Sequence, residues 1–482
     1  MTWSRVLQRV AVVALPFNNN KSGSIAVIFA IACVPLIISI GCAVDYAQAM
    51  RMRGKLQAAA DAASVGAVAS KSPGYIAATG MSADGVVAAA RTDALAIFNG
   101  NISGLTGYNN LLTTTTVTKV GLQLTSTVQF SASVTTTFMK LVGYPTLTVN
   151  STSVSEATLP GYLDFYLMLD VSGSMGLPST NSEQTRLAAI NPDNYSQYPN
   201  GCTFACHFTN AGACSNSTQK YNTNNYCMGY SLSRTAGNSG NMAVSNCASP
   251  GTSACIQLRA DAVGYAVSQL LVTANASAKI ANQYRVGLYP FIQNLYTYFA
   301  LTSSINGSPI NAGTINYAAA NLASLLDTGV NFNLGSGGTH FENALPAMNT
   351  LIPSVGTGTA WNNTLPYVFL VTDGAQNNQT QLGGGWSGNN NATVMNSTLC
   401  ASLKNRGIVV AILYIPYQTI QNPTSFANNE DYAVNAIIPN IPATLQACAS
   451  PNFFFTANTP ADITTALNAM FNQALVTARI TN

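Results

Sequence analysis

The chain has 482 residues, a net charge of +3 and 7% charged residues, against about 25% charged residues in an ordinary soluble protein. The length leaves room for two or three domains and a sizeable core. With no Lys/Arg cluster in its main part the chain lacks the electrostatic footprint of a nucleic-acid binder, and two histidines in the whole sequence argue against an enzyme. A surface rich in Asn, Thr, Ser and Ala fits an exported protein that sits among other proteins.

Residues 1–21 read as a basic, Asn-rich cytoplasmic tail. Residues 22–44 carry no charge, and at about 1.5 Å per residue they span the roughly 30 Å hydrocarbon layer of a bilayer. The run exceeds the roughly 7–15 apolar residues of a signal-peptide core, so a transmembrane helix is expected, with a buried core helix as the alternative. Pro35 marks a site for a kink. Arg5, Arg9 and Lys21 precede the run, and Arg51, Arg53 and Lys55 follow it. The positive-inside rule then keeps the N-terminus in the cytoplasm and sends the rest across, the second cluster counting against this.

Residues 45–70 are Ala-rich and free of proline, which favours helix. Leu56, Ala59, Ala60 and Ala63 fall on one face. Small residues there allow close approach either of a partner helix or of the chain's own domain. The pattern Gly23-Ser24-Ile25-Ala26-Val27-Ile28-Phe29, Ala43-Val44-Asp45-Tyr46, Arg53-x-x-Leu56-Gln57 and Asp61-Ala62-Ala63 resembles the N-terminal module of TadE/TadG-like proteins of bacterial tight-adherence (Flp) pilus systems. Prepilins processed by the dedicated peptidase of such systems carry Glu five residues after the cut. Ile28 holds that place here, so the resemblance implies a retained anchor.

Residues 71–158 read as a small α+β module. A Pro/Gly break over 70–80 precedes a helix expected over 83–98, and residues 115–134 and 146–154 alternate in β-branched side chains, as strands do. Phe138-Met139-Lys140-Leu141-Val142-Gly143 resembles a hinge found between strands in the same family.

Residues 159–482 form the head. The apolar run 162–169 reads as a buried strand and ends in Asp170-Val171-Ser172-Gly173-Ser174. An insertion over about 177–255 follows, rich in Asn, Ser, Tyr and Gly. A loop of roughly 70 residues without periodicity is expected only where it is stapled or functional, so it either shapes access to the preceding loop or is an inert excursion. Of the ten cysteines, Cys33 and Cys42 lie in the apolar run, and Cys202, Cys206, Cys214, Cys227, Cys247, Cys255, Cys400 and Cys448 follow it. An even set in an exported segment reads as disulfides. The competing reading is zinc at Cys202, Cys206 and His207. Residues 256–281 are an amphipathic helix with Leu258, Ala262, Tyr265, Ala266, Leu270 and Leu271 as its stripe, and 284–292 a strand. Short helices are expected over 321–326 and 394–406, strands over 365–371, 407–415 and 452–455, and a closing helix over 461–476. Cys400 and Cys448, each beside a strand, are expected to pair. Alternating strands and helices give a doubly wound, mostly parallel α/β sheet.

Three loops carry the chemistry: Asp170-x-Ser172-x-Ser174, the Gly-rich Ser336-Gly337-Gly338-Thr339 before a helix, and Thr372-Asp373-Gly374 after a strand. Oxygen donors of this kind suit a hard cation, and loops that follow strands sit at the carboxyl edge, where such sheets bind ligands. Asp170, Ser172, Ser174, Thr339 and Asp373 stand in the order of a von Willebrand factor A domain with a complete metal-ion-dependent adhesion site, which the head therefore resembles. Thr339-x-x-Glu342 also fits a helix capping box, which would occupy the same hydroxyl. His340 is expected at the surface, since a hard cation prefers oxygen.

The resemblance implies a divalent cation, Mg²⁺ before Ca²⁺ or Mn²⁺, bridging to an acidic residue of a protein partner among pilus-assembly components. The alternative is a surface adhesin that binds host or matrix protein directly. Metal-assisted hydrolysis needs a general base and a substrate clamp, and the sequence has no phosphate-binding Gly-Lys-Ser/Thr motif and no G-x-S-x-G elbow. Neither nucleic acid nor a small-molecule substrate is expected.

Overall fold

The computed structural model describes residues 22–190, 208–210, 220–221, 226–228, 247, 249–252, 255–327, 333–335, 337–382, 385–387, 391–417, 419 and 430–480. The chain divides into two compact units, Met1–Leu159 and Pro160–Asn482. The tail over 1–21 and the zinc reading at Cys202, Cys206 and His207 lie outside the described residues, as does most of the insertion.

In the first unit one helix, α1 (Ser22–Val68), runs through Pro35 and joins the apolar stretch to the Ala-rich one. Its first part is exposed, apolar and long enough to cross a bilayer. Its second part buries Leu56, Ala59, Ala60, Ala63 and Ala67. These pack against Phe98 and against the inward residues of an antiparallel sheet, among them Leu124, Val128 and Phe130. Of the two readings of the small-residue face, packing on the chain's own domain is the one realised.

Two short elements follow, α2 (Pro73–Thr79) and β1 (Gly85–Val86), and then α3 (Ala88–Asn101). The helix expected from residue 83 thus starts later. The Asp84 carboxylate accepts the Gly121 amide at 2.8 Å and lies 3.6 Å from Lys119 Nζ, which holds the chain extended so that Gly85 pairs with Lys119. Strands β2 (Asn109–Val120), β3 (Gln123–Thr135) and β4 (Thr146–Thr158) complete a sheet ordered β1-β2-β3-β4.

The second unit is built on β5 (Leu163–Asp170), all eight residues of which are buried. The elements that follow it are α4 (Asn181–Ile190), α5 (Arg259–Ser277), β6 (Tyr284–Phe291), β7 (Phe299–Thr302), α6 (Ile315–Ala320) and α7 (Phe341–Leu351). Then come β8 (Leu365–Thr372), α8 (Ala401–Lys404), β9 (Val409–Tyr414), α9 (Glu430–Ile437), α10 (Ile441–Cys448), β10 (Phe454–Thr456) and α11 (Pro460–Ile480). The sheet order is β7-β6-β5-β8-β9-β10, with only β7 antiparallel. Strand side chains alternate between faces, so β5 serves two cores. Phe165, Leu167 and Leu169 pack with α5 and α11, and Tyr166 and Met168 with α7 and α10. That is why its sequence reads as a mostly apolar run, interrupted by Asp164, which accepts the Arg285 guanidinium at 2.7 and 2.6 Å.

Two expected helices differ. In place of one over 321–326 the chain forms α6, whose first turn is capped by Thr314 accepting the Tyr317 amide, and then a 3₁₀ turn, Leu322–Leu325. The helix expected over 394–406 is shortened to Ser397–Lys404: Thr393–Val394 pair with Ala375–Gln376, and Asn396 then caps a 3₁₀ turn that runs into α8. Cys400 and Cys448 form a disulfide with Cα atoms 5.3 Å apart, and Cys247 pairs with Cys255.

Candidate metal centre

Strands β5 and β8 are parallel neighbours, with Leu169 level with Val371, so both chains reach the carboxyl edge together. Asp170 closes β5, and Asp373 follows Thr372 at the end of β8. Both carboxylates are buried. Asp170 Oδ1 accepts the Ser172 amide at 3.0 Å and the Ser172 hydroxyl at 2.6 Å, and its Oδ2 accepts the Thr372 hydroxyl at 2.6 Å. Ser172 Oγ lies 3.4 Å from Ser174 Oγ. Ser174 is half-buried and Ser172 fully so, which leaves the first as the more accessible hydroxyl.

The Thr339 loop comes to the same edge through backbone pairing. The Thr339 amide donates to Asn377 O at 2.7 Å and the Asn377 amide to Thr339 O at 3.2 Å. Gly338 makes this possible. Its φ is +66°, and a Cβ there would fall 2.0 Å from the Asn377 carbonyl oxygen, a conformation and an approach open only to glycine. The Asp327 amide donates to Val171 O at 3.0 Å while its carboxylate accepts the Gly337 amide at 2.9 Å, which ties the first loop to the second. The structure thus joins Asp170, Ser172 and Ser174 side chain to side chain, sets Asp373 just past the end of the neighbouring strand, and places Thr339 by its backbone.

The capping box does not form. The cap of α7 is His340, without a side-chain cap bond, so the Thr339 hydroxyl is not spent there. His340 is buried, contrary to the expectation of a surface residue. Its Nδ1 is 2.7 Å from Glu342 Oε1, and its Nε2 is 3.1 Å from Gly337 O and 3.0 Å from Gln379 O. Three polar partners offset the cost of burying the ring.

Burial first, and then the neighbouring Asp373 carboxylate, push the Asp170 pKa up to about 7, against the hydrogen bonds from Ser172 and Thr372. Burial likewise raises Asp373, against the pull of the Arg259 guanidinium and the Ser174 hydroxyl. Arg259 is itself buried, with Nη1 3.4 Å from Asp373 Oδ2, Nη2 3.0 Å from Pro416 O, and its guanidinium 5.6 Å from the Tyr417 ring centre. The motifs of the sequence do not point to Arg259 or Asp327, and they mark Thr372 only as the first residue of its loop. For Arg259 a signal existed: a charged pair, Arg259 and Asp261, opens an otherwise apolar helix.

Among the described residues no three His, Cys, Asp or Glu side chains gather as a metal-ligand group. The candidate set differs from such groups, having two carboxylates and three hydroxyls. It fits a hard cation on one observation in particular: Asp373 Oδ1 is buried and accepts no hydrogen bond. A buried carboxylate oxygen without a donor is costly, and it stands where two acids already oppose each other's ionisation.

The two units define an apolar helix with a small β-rich module and an α/β domain of von Willebrand A type. Residues 23–70 match the Tad family model, described as Flp pilus-assembly TadE/G-like. No curated protein matches the sequence. Among solved structures the chain resembles the PilB minor pilin of Streptococcus sanguinis, at 11% identity and a TM-score of 0.33 over 77% of this chain and 79% of that one. It also resembles the pilus adhesin SpaC of Lactobacillus rhamnosus GG, at 13% and 0.33 over 77% of this chain and 34% of that one. The von Willebrand domain of the type V pili tip protein Mfa5 from Porphyromonas gingivalis gives 9% and 0.32 over 67% and 97%. Similarity at this level carries no function across.

Proposed function

We propose that this chain is a membrane-anchored, exported component of Flp/Tad pilus assembly. Its head binds a protein partner through a divalent cation, Mg²⁺ before Ca²⁺ or Mn²⁺, held by Asp170, Ser172, Ser174, Thr339 and Asp373. The observation that carries the reading is the buried Asp170–Asp373 pair at the sheet edge with its unsatisfied Asp373 oxygen. A bound divalent ion would supply positive charge to a partner's carboxylate. Arg259 leaves the ionised pair one net negative charge, so a divalent ion turns the site net positive by one, which a Glu or Asp of the partner neutralises. Thr372 and Ser172 occupy both oxygens of Asp170, so Asp170 acts by orienting Ser172 and by charge. Ser174 and Thr339 offer hydroxyls that no cap consumes.

The Tad match over 23–70 supports the pilus setting. The Cys247–Cys255 and Cys400–Cys448 disulfides support an oxidising compartment for the head, as in the periplasm, and so an N-terminus left in the cytoplasm. Calorimetric titration of the purified chain with Mg²⁺, Ca²⁺ and Mn²⁺ tests the site. Saturable binding that Asp170→Ala abolishes is the expected outcome, and no binding by the unaltered chain would remove the metal bridge. An alkaline-phosphatase fusion after residue 160 should be active, and an inactive one reverses the topology. Release to the cell surface with direct capture of immobilised matrix would turn the reading to a host adhesin.

A further inference from the structure

The loop between β3 and β4 carries apolar side chains that the first unit leaves uncovered. Leu141 is 72% exposed and Tyr144 60% exposed, with Val142 also exposed. Yet the loop is fixed. The Asp45 carboxylate accepts the backbone amides of Thr137 at 3.0 Å, Phe138 at 2.7 Å and Met139 at 2.8 Å. The Phe138 ring seats on α1 at Gly41, where a Cβ would fall 2.2 Å from its Cγ. A rigid mount for an exposed apolar tip is costly in water and calls for something to cover it.

The register along α1 says what that is. β4 ascends beside the helix in the same direction. Arg53 reaches Asn150 O at 3.1 Å, Asp61 takes the Ser153 hydroxyl at 2.6 Å, Ser64 meets Ser155 at 2.8 Å, and the Tyr75 hydroxyl reaches Thr158 O at 3.2 Å. Followed backwards, this order brings the loop to Gly41 in the last turn of the apolar run and to Asp45 just past its end. Ile40 and Val44 are exposed there, so the loop tip continues the helix's own apolar surface where the helix leaves the bilayer.

We propose that the 138–144 loop inserts into the interfacial layer of the bilayer and forms a second membrane contact beside α1. Leu141 and Val142 enter the acyl boundary. Tyr144 sits at headgroup depth, where amphipathic rings are favoured, and the exposed Lys140 lies among the phosphates. Lipid is the occupant because the patch is continuous with a lipid-facing helix. Two contacts on one rigid unit set the tilt and rotation of α1, which length and composition leave free.

The inference rests on α1 spanning the bilayer, so the test separates the two. The full chain is reconstituted into phosphatidylcholine/phosphatidylglycerol vesicles, and flotation reports the anchor. Leu141→Trp is compared with Val154→Trp on β4, each in a chain whose Trp3, Trp361 and Trp386 are replaced by Phe, in vesicles with and without acyl-chain bromine. The indole introduced at 141 should emit to the blue and lose fluorescence to brominated lipid, and the one at 154 should do neither. Floated protein whose indole at 141 is unquenched overturns the proposal, whether it emits as in water or is shielded by a second protein copy. Failure to float removes the anchor and the loop contact together. Val142→Trp repeats the measurement if Leu141→Trp alters hydrogen exchange of the module.

Discussion

Asp45 and Asp170 are both buried carboxylates, and their surroundings drive them in opposite directions. Burial works to raise Asp45, but the backbone amides of Met139, Thr137 and Phe138 outweigh it and hold the pKa below the usual carboxylate value. Asp170 has three donors too, yet burial first, and then the second acid beside it, raise its pKa. The difference lies in the depth of burial first and in the acidic neighbour second, and not in the number of hydrogen bonds. A lone carboxylate met by amides is a structural staple. A buried pair with an oxygen left over is met by a proton or by positive charge, and Arg259 supplies part of that charge.

The largest effect is expected from Asp170→Ala, which should abolish divalent binding in calorimetry while leaving the amide-exchange pattern of the head in place. A head that melts instead would make Asp170 a structural residue like Asp45. Arg259→Gln should follow. Breaking a buried ion pair costs about 3–5 kcal/mol, so the metal-free melting temperature should drop, and Mg²⁺ should restore more of it than in the unaltered chain. An unchanged melting temperature would mean that Arg259 does not balance Asp373.

The two carboxylates also predict opposite pH slopes. The folded head holds the Asp170 proton more tightly than the unfolded chain does, so stability falls as pH rises from the ordinary 3.8 to about 7, and Mg²⁺ should reverse the loss. Asp45 is held ionised, so its contribution is present above 3.8 and fades as pH falls below it. Amide exchange followed locally at residues 137–139 and 171–175 reads both in one chain, and slopes of the same sign would undo the contrast. Asp45→Asn should speed exchange at 137–139 several-fold without touching the head. Smallest is Thr339→Val, which removes one hydroxyl worth about 1 kcal/mol. It should weaken Mg²⁺ binding severalfold at unchanged stability, and a drop in stability would return Thr339 to a capping role.

The periodicity of the sequence carries much of this architecture. The mostly apolar run ending at Asp170 and its counterpart ending at Thr372 locate the two central strands, because a strand buried on both faces tolerates a polar group only where it is paired, as Asp164 is with Arg285. The same logic located the anchor helix. Where it failed, a side chain had formed a contact distant in sequence. Asp84 reached across to Gly121 and Lys119 and drew residues 85–86 into a strand. His340 was drawn inside by the distant Gln379 carbonyl together with its near neighbours Glu342 and Gly337.

Composition and periodicity by themselves determined the α/β head and the apolar N-terminal helix, since burial and helix or strand period are local properties of the chain, whereas the five oxygen-bearing residues were picked out by the resemblance to a von Willebrand A domain. Tertiary structure alone decided that Arg259 balances Asp373, that Asp327 ties two loops, that the alanine face of α1 closes on its own sheet, and that Asp45 holds a loop ninety residues away. Each of these depends on which distant groups share a low-dielectric space, and charge and hydrogen-bond satisfaction there are set by neighbours in space, which sequence spacing does not encode.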